Sequence, residues 1–257
     1  MLLLKNFLVL TLGAFLLAIA GGFVNNYLRD RIAGNMIESI GLLGTRLFFI
    51  VGAFVHELGH LLFSIIFRHK IQALKLFPLT REDFFSGSLG YVLTTYNDKS
   101  LFQKSGVVFV GVAPMISGFV VVYASMYLLM PQLHSQIFQL NLFGEGFLLT
   151  PGSLGGGSLA VSDFFNLNFL LFLSIVFVVV PNMALSPSDV AVMLKGSFYF
   201  FGLATITYFI FWLFGAQHIL FLFLQSLIAL QLIAILITFL VFLGSYLLNH
   251  LCLRIGT

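Results

Sequence analysis

Residues 40–67 read IGLLGTRLFFIVGAFVHELGHLLFSIIF, an apolar stretch with the pattern His-Glu-Leu-Gly-His at positions 56–60. A helix needs about 20 apolar residues to cross the hydrocarbon core of a bilayer, and this stretch is longer than that. Inside lipid a backbone must satisfy its own hydrogen bonds, so the segment is expected to be a transmembrane helix. Ionisable side chains are costly in such a helix and usually serve a function. The stretch therefore predicts both a membrane protein and a chemical site.

The rest of the sequence has the same membrane character. Of its 257 residues, 60% are hydrophobic and 8% are charged, whereas soluble domains carry about 25% charged residues. The mean hydropathy is +1.09. A net charge of +3 without a basic run excludes nucleic acid as a partner. The single cysteine, Cys252, has no partner for an internal disulfide. We interpret residues 1–257 as a single membrane domain embedded in a lipid bilayer.

Six apolar segments predict an all-α polytopic protein with about six transmembrane helices. A cleaved signal peptide is the alternative interpretation of the first segment, although its apolar stretch is long for one. The second, third and fourth segments, with their loops, form the predicted catalytic core at 40–195, and the segments within 197–248 are accessory. The six segments are 6–24, 40–67, 106–130, 166–185, 197–215 and 218–248.

The loops between these segments differ in charge. Six of the 12 Lys and Arg residues lie in the loop at 68–105, whereas the loop at 131–165 has none. Because basic loops stay in the cytoplasm, we expect the first loop there and the second loop outside. Six crossings then place both termini in the cytoplasm. We expect the membrane to be a bacterial cytoplasmic membrane. Segments 71–78 and 86–96 have strand-like composition, which predicts a small cytoplasmic β-hairpin or sheet between the second and third spans.

The motif in the second span has the spacing of a metal site. His56 and His60 are four residues apart, so on a helix they share one face, one turn apart. Glu57 lies at the edge of that face, where it reaches a water on the metal rather than the metal itself. A carboxylate so placed takes and returns a proton during hydrolysis. The alternative interpretation is structural: the three side chains satisfy one another's hydrogen bonds between packed helices.

The third ligand is predicted from the acidic residues. Of the nine Asp and Glu residues, only Asp189 lies at the margin of an apolar span, apart from Glu57. It ends the run PNMALSPSD at 181–189, whose two prolines are expected to break the helix. Two histidines and an aspartate plus one water form a normal catalytic zinc shell, so one Zn²⁺ per chain is predicted. The alternative for Asp189 is a cap at the start of the next helix.

Taken together, these residues resemble the site-2 protease family of intramembrane zinc metalloproteases. The likeness covers about residues 40–195. It rests on HELGH, on the segment from Asn182 to Asp189, on the strand-like loop, and on Ala113-Pro114 followed by Ser117 and Gly118. The family usually has Leu-Asp-Gly around its aspartate, where this chain has Ser188-Asp189-Val190, and it often has Asn at the position of Ser117. The chain thus looks like a divergent member.

The resemblance implies an activity and a set of roles. His56, His60 and Asp189 would bind zinc, and Glu57 would be the general base that hydrolyses a peptide bond in a membrane-embedded protein or peptide. The strand at 86–96 would receive an unwound substrate by strand addition, and Asn182 would hold the substrate backbone or the oxyanion. The implied substrate-binding residues are Asn182, Gly90, Tyr91, Pro114 and Ser117.

Two other functions remain open from the sequence. The same zinc shell could hydrolyse a lipid-linked amide. A non-enzymatic metal-binding or transport membrane protein could also use histidines within the bilayer, although transport does not require the glutamate beside the first histidine. The oligomeric state is not predicted.

Overall fold

The structure, a computed structural model, describes residues 2–77, 90–137 and 166–255. In this part of the chain the backbone forms six α-helices, one two-stranded antiparallel sheet and a short 3₁₀ turn. The helices are α1 (Leu2–Ile66), α2 (Leu101–Leu129), α3 (Pro131–Ile137), α4 (Leu167–Val179), α5 (Pro187–Leu213) and α6 (Gln217–Ile255). The strands are β1 (Lys70–Lys75) and β2 (Tyr91–Thr95), and the 3₁₀ turn is Val180–Met183.

Among the described residues, four helices are long and apolar enough to cross a membrane. They correspond to α1, α2, α5 and α6, and the apolar stretch Leu167–Met183 is shorter. The helical membrane class predicted from the sequence is therefore confirmed. The helix α6 has 39 residues, which is about 58 Å at 1.5 Å per residue. It therefore tilts in, or extends beyond, a hydrocarbon core about 30 Å thick.

The longest helix, α1, folds back on itself at Gly41. The backbone there has φ 76° and ψ 171°, a conformation essentially reserved for glycine. Ile32 and Met36 before the break pack in one buried cluster with Phe49 after it. We call residues 2–40 the first arm and residues 42–66 the second arm. The second arm matches the predicted span at 40–67, whereas the first arm extends well beyond the predicted 6–24.

The first arm of α1 runs parallel to α6. Near their starts, Phe7 packs with Leu224, and near their ends the Asn249 Nδ2 donates to Glu38 Oε2 at 2.6 Å. The Asn35 Nδ2 donates to Ser245 Oγ between these points, at 3.1 Å. Because the two helices run the same way, the start of α1 and the end of α6 lie at opposite ends of the bundle.

The segment α4–α5 runs antiparallel to α2 on both sides of the break between α4 and α5. Met183 lies against Gly118 and Asp189 lies against Gly111, while the Lys104 Nζ is 3.1 Å from the Tyr199 hydroxyl. The chain therefore keeps its direction through the break before α5. The sequence-based expectation of two spans, 166–185 and 197–215, separated by a cytoplasmic turn differs from this path. The six-span topology is not confirmed.

The break itself has a local cause in the sequence. The Ser186 side chain accepts from the Asp189 backbone N–H and caps a new helix, and Pro187 occupies its first turn. Proline is favoured at that position because its missing N–H would be unpaired there anyway. The polar run that predicted a loop is thus a helix start, and residues 187–213 form one helix.

A small hairpin follows the second arm. The strands β1 and β2 pair antiparallel, with Lys70 opposite Thr95 and Lys75 opposite Tyr91. The prediction of a hairpin between the second and third spans is confirmed for residues 70–75 and 91–95. Residues 78–89 lie outside the described residues, and so does the Gly-rich part of the predicted loop at 131–165. The first residues of that loop, 131–137, form α3.

Candidate metal site

Three predicted side chains meet between the second arm of α1 and the start of α5. The His56 and His60 Nε2 atoms are 3.3 Å apart. The Asp189 Oδ1 lies 3.2 Å from His60 Nε2, and its Oδ2 lies 3.7 Å from His56 Nε2. His60 and Asp189 are each 8% exposed. The structure thus brings together the two histidines of the motif and the aspartate predicted as their partner.

The spacing of these atoms suits a tetrahedral metal ion. In a tetrahedral site with bonds of about 2.0–2.1 Å, two ligand atoms are about 3.4 Å apart. The His56 and His60 Nε2 atoms are separated by nearly that distance. The closest contacts of Asp189 use its Oδ1 toward His60 and its Oδ2 toward His56, and one ligand atom from each of the three residues lies within 4.8 Å of the others. Two imidazole nitrogens and one carboxylate oxygen form a donor set that leaves a fourth position open. The three residues therefore fit a metal ion.

A contact at the Nδ1 atom of each histidine fixes the orientation and the tautomer of its ring. The His56 Nδ1 is 2.8 Å from the carbonyl oxygen of Asn182, and the His60 Nδ1 is 2.8 Å from that of Val110. Because a carbonyl only accepts, each Nδ1 must carry the proton, and in a neutral ring the Nε2 then presents a lone pair. In two neutral rings the lone pairs that face each other at 3.3 Å repel, and a metal ion or a proton between them removes this repulsion. Histidines that bind metal ions typically donate their other ring N–H to an acceptor such as a backbone carbonyl.

The Val110 carbonyl is available because of a proline. In a regular helix it would accept from the backbone N–H four residues later. That residue is Pro114, which has no N–H and lies fully buried inside α2. His60 takes the place of the missing donor. Pro114 thus contributes to the orientation of a histidine, and its predicted contact with a substrate stays a prediction.

The Asn182 carbonyl is available because the helix breaks. The backbone N–H of Ser186, four residues later, donates instead to the Asp189 Oδ2 at 2.7 Å. Irregular membrane backbone is tolerated where such alternative partners exist. The break between α4 and α5 thus supplies the acceptor for His56.

Asp189 has two roles at once. Its Oδ2 accepts from the backbone N–H and the hydroxyl of Ser186, both at 2.7 Å, while Ser186 Oγ accepts from the Asp189 N–H at 3.2 Å. This reciprocal capping box holds the carboxylate in place, and the same carboxylate faces both histidines. The capping alternative and the ligand prediction are therefore compatible: Ser186 is the N-cap and Asp189 is the third residue of the helix.

A cleft of about 380 Å³ opens beside the metal site, between the two arms of α1. His56, Glu57, Asn182 and Gly90 line one end of it. A Cβ built on Gly90 would lie 2.7 Å from the Glu57 Cγ and 2.8 Å from the Lys75 carbonyl oxygen. The residue directly before β2 therefore lies over Glu57, and this end of the cleft is bounded by the hairpin.

The remaining predicted residues divide between the cleft and the helix packing. The Asn182 side chain lines the cleft, with its Nδ2 donating to the Val178 carbonyl at 2.9 Å. The Tyr91 ring lies in β2 beside Lys75, whose Nζ is 6.0 Å from the ring centre. Ser117 lies where α2 meets the second arm, donating to the Val55 carbonyl at 3.0 Å.

Sequence reasoning missed several contributors to this site. Ser186 is adjacent to the predicted break, and its capping pattern with Asp189 was readable at three-residue spacing. Val110 acts only through its carbonyl, and its signal was the proline four positions later. Arg29 and Arg46 also line the cleft, and the sequence pattern assigned neither of them to the site.

Comparison with known proteins adds no relative: no protein-family model, curated protein or solved structure matches this chain. The geometry of the site is therefore the basis for its interpretation.

Proposed function

We propose that this protein is an intramembrane zinc metalloprotease. The observation that carries the proposal is the convergence of His56, His60 and Asp189 within 4.8 Å, beside a cleft lined by Glu57. The site lies on helices long and apolar enough to span a membrane. A hydrolytic site of this kind acts on a substrate that enters from the bilayer, and a membrane-embedded protein or peptide is the proposed substrate.

The two histidines and Asp189 would hold one zinc ion, which suits a shell of nitrogen and oxygen donors with one open position. When bound, zinc supplies a Lewis acid that activates water and polarises the scissile carbonyl. The Asn182 and Val110 carbonyls keep both rings in the tautomer that presents Nε2. Ser186 holds the Asp189 carboxylate in position.

Glu57 is the proposed general base. Its carboxylate takes a proton from the attacking water as the water oxygen bonds to the carbonyl carbon. It then delivers that proton to the amide nitrogen as the C–N bond breaks, so that the products are a carboxylic acid and an amine. The Asn182 side chain, at the same end of the cleft, is placed to hold the substrate backbone.

The hairpin is the proposed dock for the substrate. Hydrolysis needs an extended peptide, and a strand edge recruits an unwound segment by main-chain hydrogen bonds. Gly90, directly before Tyr91 at the start of β2, lies beside Glu57, so a peptide aligned with this strand would pass the proposed general base. We further propose that the protein lies in a bacterial cytoplasmic membrane with the hairpin on the cytoplasmic side, in keeping with the basic residues of 68–105.

The first test is the metal content of the purified protein in detergent. Wild type should contain about one zinc per chain. His56→Ala and Asp189→Ala should lose the zinc, and Glu57→Gln should keep it because Glu57 is not a ligand. No zinc in wild type after reconstitution would overturn the proposed site, and zinc retained by Asp189→Ala would remove the third ligand.

The second test needs no known substrate. Cells expressing wild type or Glu57→Gln are compared by sequencing the new peptide termini in their membrane proteins. Wild type should generate termini within membrane-spanning segments, and Glu57→Gln should reduce them by about a hundredfold or more. Identical termini despite bound zinc would refute proteolysis. Zinc flux in proteoliposomes would then favour transport, and cleavage in lipid extracts would favour a lipid-amide hydrolase.

A further inference from the structure

Arg29 places a guanidinium in the cleft, and neither metal binding nor proton transfer accounts for it. It comes from the first arm of α1, whereas His56 and Glu57 come from the second arm, and all three line the same cleft. Arg29 lies in a helix that is long and apolar enough to span a membrane. A cation in such a helix is costly and is usually retained for a function. The position of Arg29 therefore indicates a role in the site.

The fold-back of α1 determines which residues of the two arms face each other. Ile32 of the first arm and Phe49 of the second arm belong to one buried cluster, so they lie at about the same level. Arg29 comes one turn before Ile32. Because the arms are antiparallel, one turn on from Phe49 reaches Ala53, which is therefore level with Arg29. Glu57 follows Ala53 by four positions, or about 6 Å along the axis, which is within reach of an arginine side chain.

The Arg29 side chain points toward the metal-site end of the cleft. Helical side chains lean toward the N-terminus of their helix, and in the first arm that direction leads away from the Gly41 break. The Arg29 Nη2 donates to the Asn26 Oδ1 at 2.7 Å, which holds the guanidinium on that side. Asn26 comes one turn before Arg29, which makes it level with about His56. The electrostatic interaction between Arg29 and His56 agrees with this position.

The guanidinium has donors that a ligand can use. In the part of the chain that the structure describes, its contacts with the Asn26 Oδ1 and the Asp30 Oδ1 both use Nη2. The Asp30 carboxylate is 3.4 Å away on a side chain that is 65% exposed, and an ion pair with so exposed a partner is weak. An arginine has five N–H donors in a planar fork. The donors on Nη1 and Nε can therefore serve a ligand in the cleft.

Peptide hydrolysis develops a negative charge that such a donor stabilises. As the attacking oxygen bonds to the carbonyl carbon, the carbonyl oxygen becomes an oxyanion, and Glu57 holds the proton from the water. The C=O bond re-forms as the C–N bond breaks and that proton passes to the amide nitrogen. Donors already aimed at the oxyanion lower the barrier because they need no reorganisation during the reaction.

We propose that Arg29 is a catalytic residue whose guanidinium donates to this oxyanion. Two polar side chains of the cleft then divide the substrate between them. The Asn182 Nδ2, which also donates to the Val178 carbonyl, holds the substrate backbone, and Arg29 holds the reacting carbonyl. This inference rests on the proposed function and adds to it an oxyanion donor from the first arm.

Two inhibitors separate the oxyanion from the metal. A phosphinic peptide carries a tetrahedral phosphinate, whose charged oxygens imitate the intermediate. A mercaptoacetyl peptide with the same sequence of leucines and alanines carries a thiol, which fills the open metal position without a tetrahedral oxyanion. The affinity of each for the zinc-loaded protein in detergent is measured by calorimetry. Arg29→Gln should bind the phosphinic peptide about a hundredfold more weakly than wild type and the thiol peptide equally well.

Two further variants complete the test. Arg29→Lys keeps the charge but lacks the planar fork, so its affinity for the phosphinic peptide should lie between those of wild type and Arg29→Gln. Arg31→Gln is the matched control, because Arg31 lies in the same arm, contacts Tyr27 through its Nε at 3.2 Å and does not line the cleft. It should bind both inhibitors as wild type does.

The outcomes distinguish this inference from the proposed function. An unchanged affinity of Arg29→Gln for the phosphinic peptide would overturn the role of Arg29 and leave the zinc site standing. An equal loss of both inhibitors in Arg29→Gln and Arg29→Lys would show a structural role and would also overturn it. No binding of the thiol peptide by zinc-loaded wild type would overturn the proposed active site, and with it this inference.

Discussion

Each histidine of the site takes its orientation from a backbone carbonyl that a regular helix would have used. Pro114 leaves the Val110 carbonyl without its usual donor, and His60 supplies one at 2.8 Å. The break before α5 leaves the Asn182 carbonyl for His56 at the same distance. Two different interruptions therefore produce the same result, a ring whose Nε2 faces Asp189. The position of the ligands depends on where the helices are irregular as well as on the HELGH motif.

Pro114→Ala tests this dependence at the residue scale. The new backbone N–H would compete with His60 for the Val110 carbonyl, so the ring would be held less firmly. Removing a group that orients a metal ligand costs about 10–100-fold in metal affinity. Because His60 would still share the Val110 carbonyl, we expect a loss of about tenfold in zinc affinity. Zinc affinity is measured by competition with a chromophoric chelator, alongside thermal unfolding of the zinc-free protein.

The matched control for this change is Pro131→Ala. Pro131 is the first residue of α3, where proline leaves no interior carbonyl unpaired, so zinc affinity should stay at the wild-type value. A Pro114→Ala protein with unchanged zinc affinity would show that His60 does not depend on the proline.

At the scale of elements, the site depends on how closely the second arm approaches α2. Gly59, within the motif, faces α2 at the point of contact. A Cβ there would lie 2.6 Å from the Ser117 Oγ and 2.8 Å from the Ala113 carbonyl oxygen. The hydroxyl could rotate away, but the backbone carbonyl could not. The glycine in HELGH therefore brings His60 within reach of Val110 on the neighbouring helix.

Gly59→Ala should separate the two helices and destabilise the protein. Overpacking of this kind costs about 1–3 kcal/mol, and the shift should also weaken zinc binding because His60 moves away from the Val110 carbonyl. Thermal unfolding and zinc content measure the two effects. Gly34→Ala is the control, since it lies in the other arm of α1 with nothing within 4 Å of the added Cβ. A Gly59→Ala protein as stable as the Gly34→Ala protein would contradict the close approach.

The sequence predicted the elements better than their connections. Apolar length identified the second arm within two residues, and four-residue spacing placed the two histidines on one face, because both depend on local helix geometry. The polar run around Asp189 was interpreted as a turn because capping residues and loop residues have the same composition. The continuation of α4 into α5 depends on packing against α2, which no local pattern contains. Arg29 of the cleft was missed because the first arm continues past its apolar segment.

At the scale of the whole molecule, the direction of each helix predicts which parts of the chain face the same side of the membrane. In the part of the chain that the structure describes, the two arms of α1, then α2, then α4–α5, then α6 pass along the bundle in alternating directions. These are five passes, where the apolar segments predicted six. The first arm and α6 run in parallel, so residue 252 near the end of α6 lies far from the hairpin end of the bundle. The structure thus predicts that residues 98 and 252 face opposite sides of the membrane.

Cysteine labelling in intact cells decides between five and six passes. Wild type has one cysteine, Cys252, and Asp98→Cys in a Cys252→Ser background moves it to an exposed position beside the hairpin. A membrane-impermeant maleimide should label one of the two proteins before the cells are opened, and both after detergent is added. With the basic loop in the cytoplasm, Cys252 should be the one labelled first. Labelling of neither protein until the cells are opened would place both positions in the cytoplasm, as six crossings require, and would contradict the continuous path through α4 and α5.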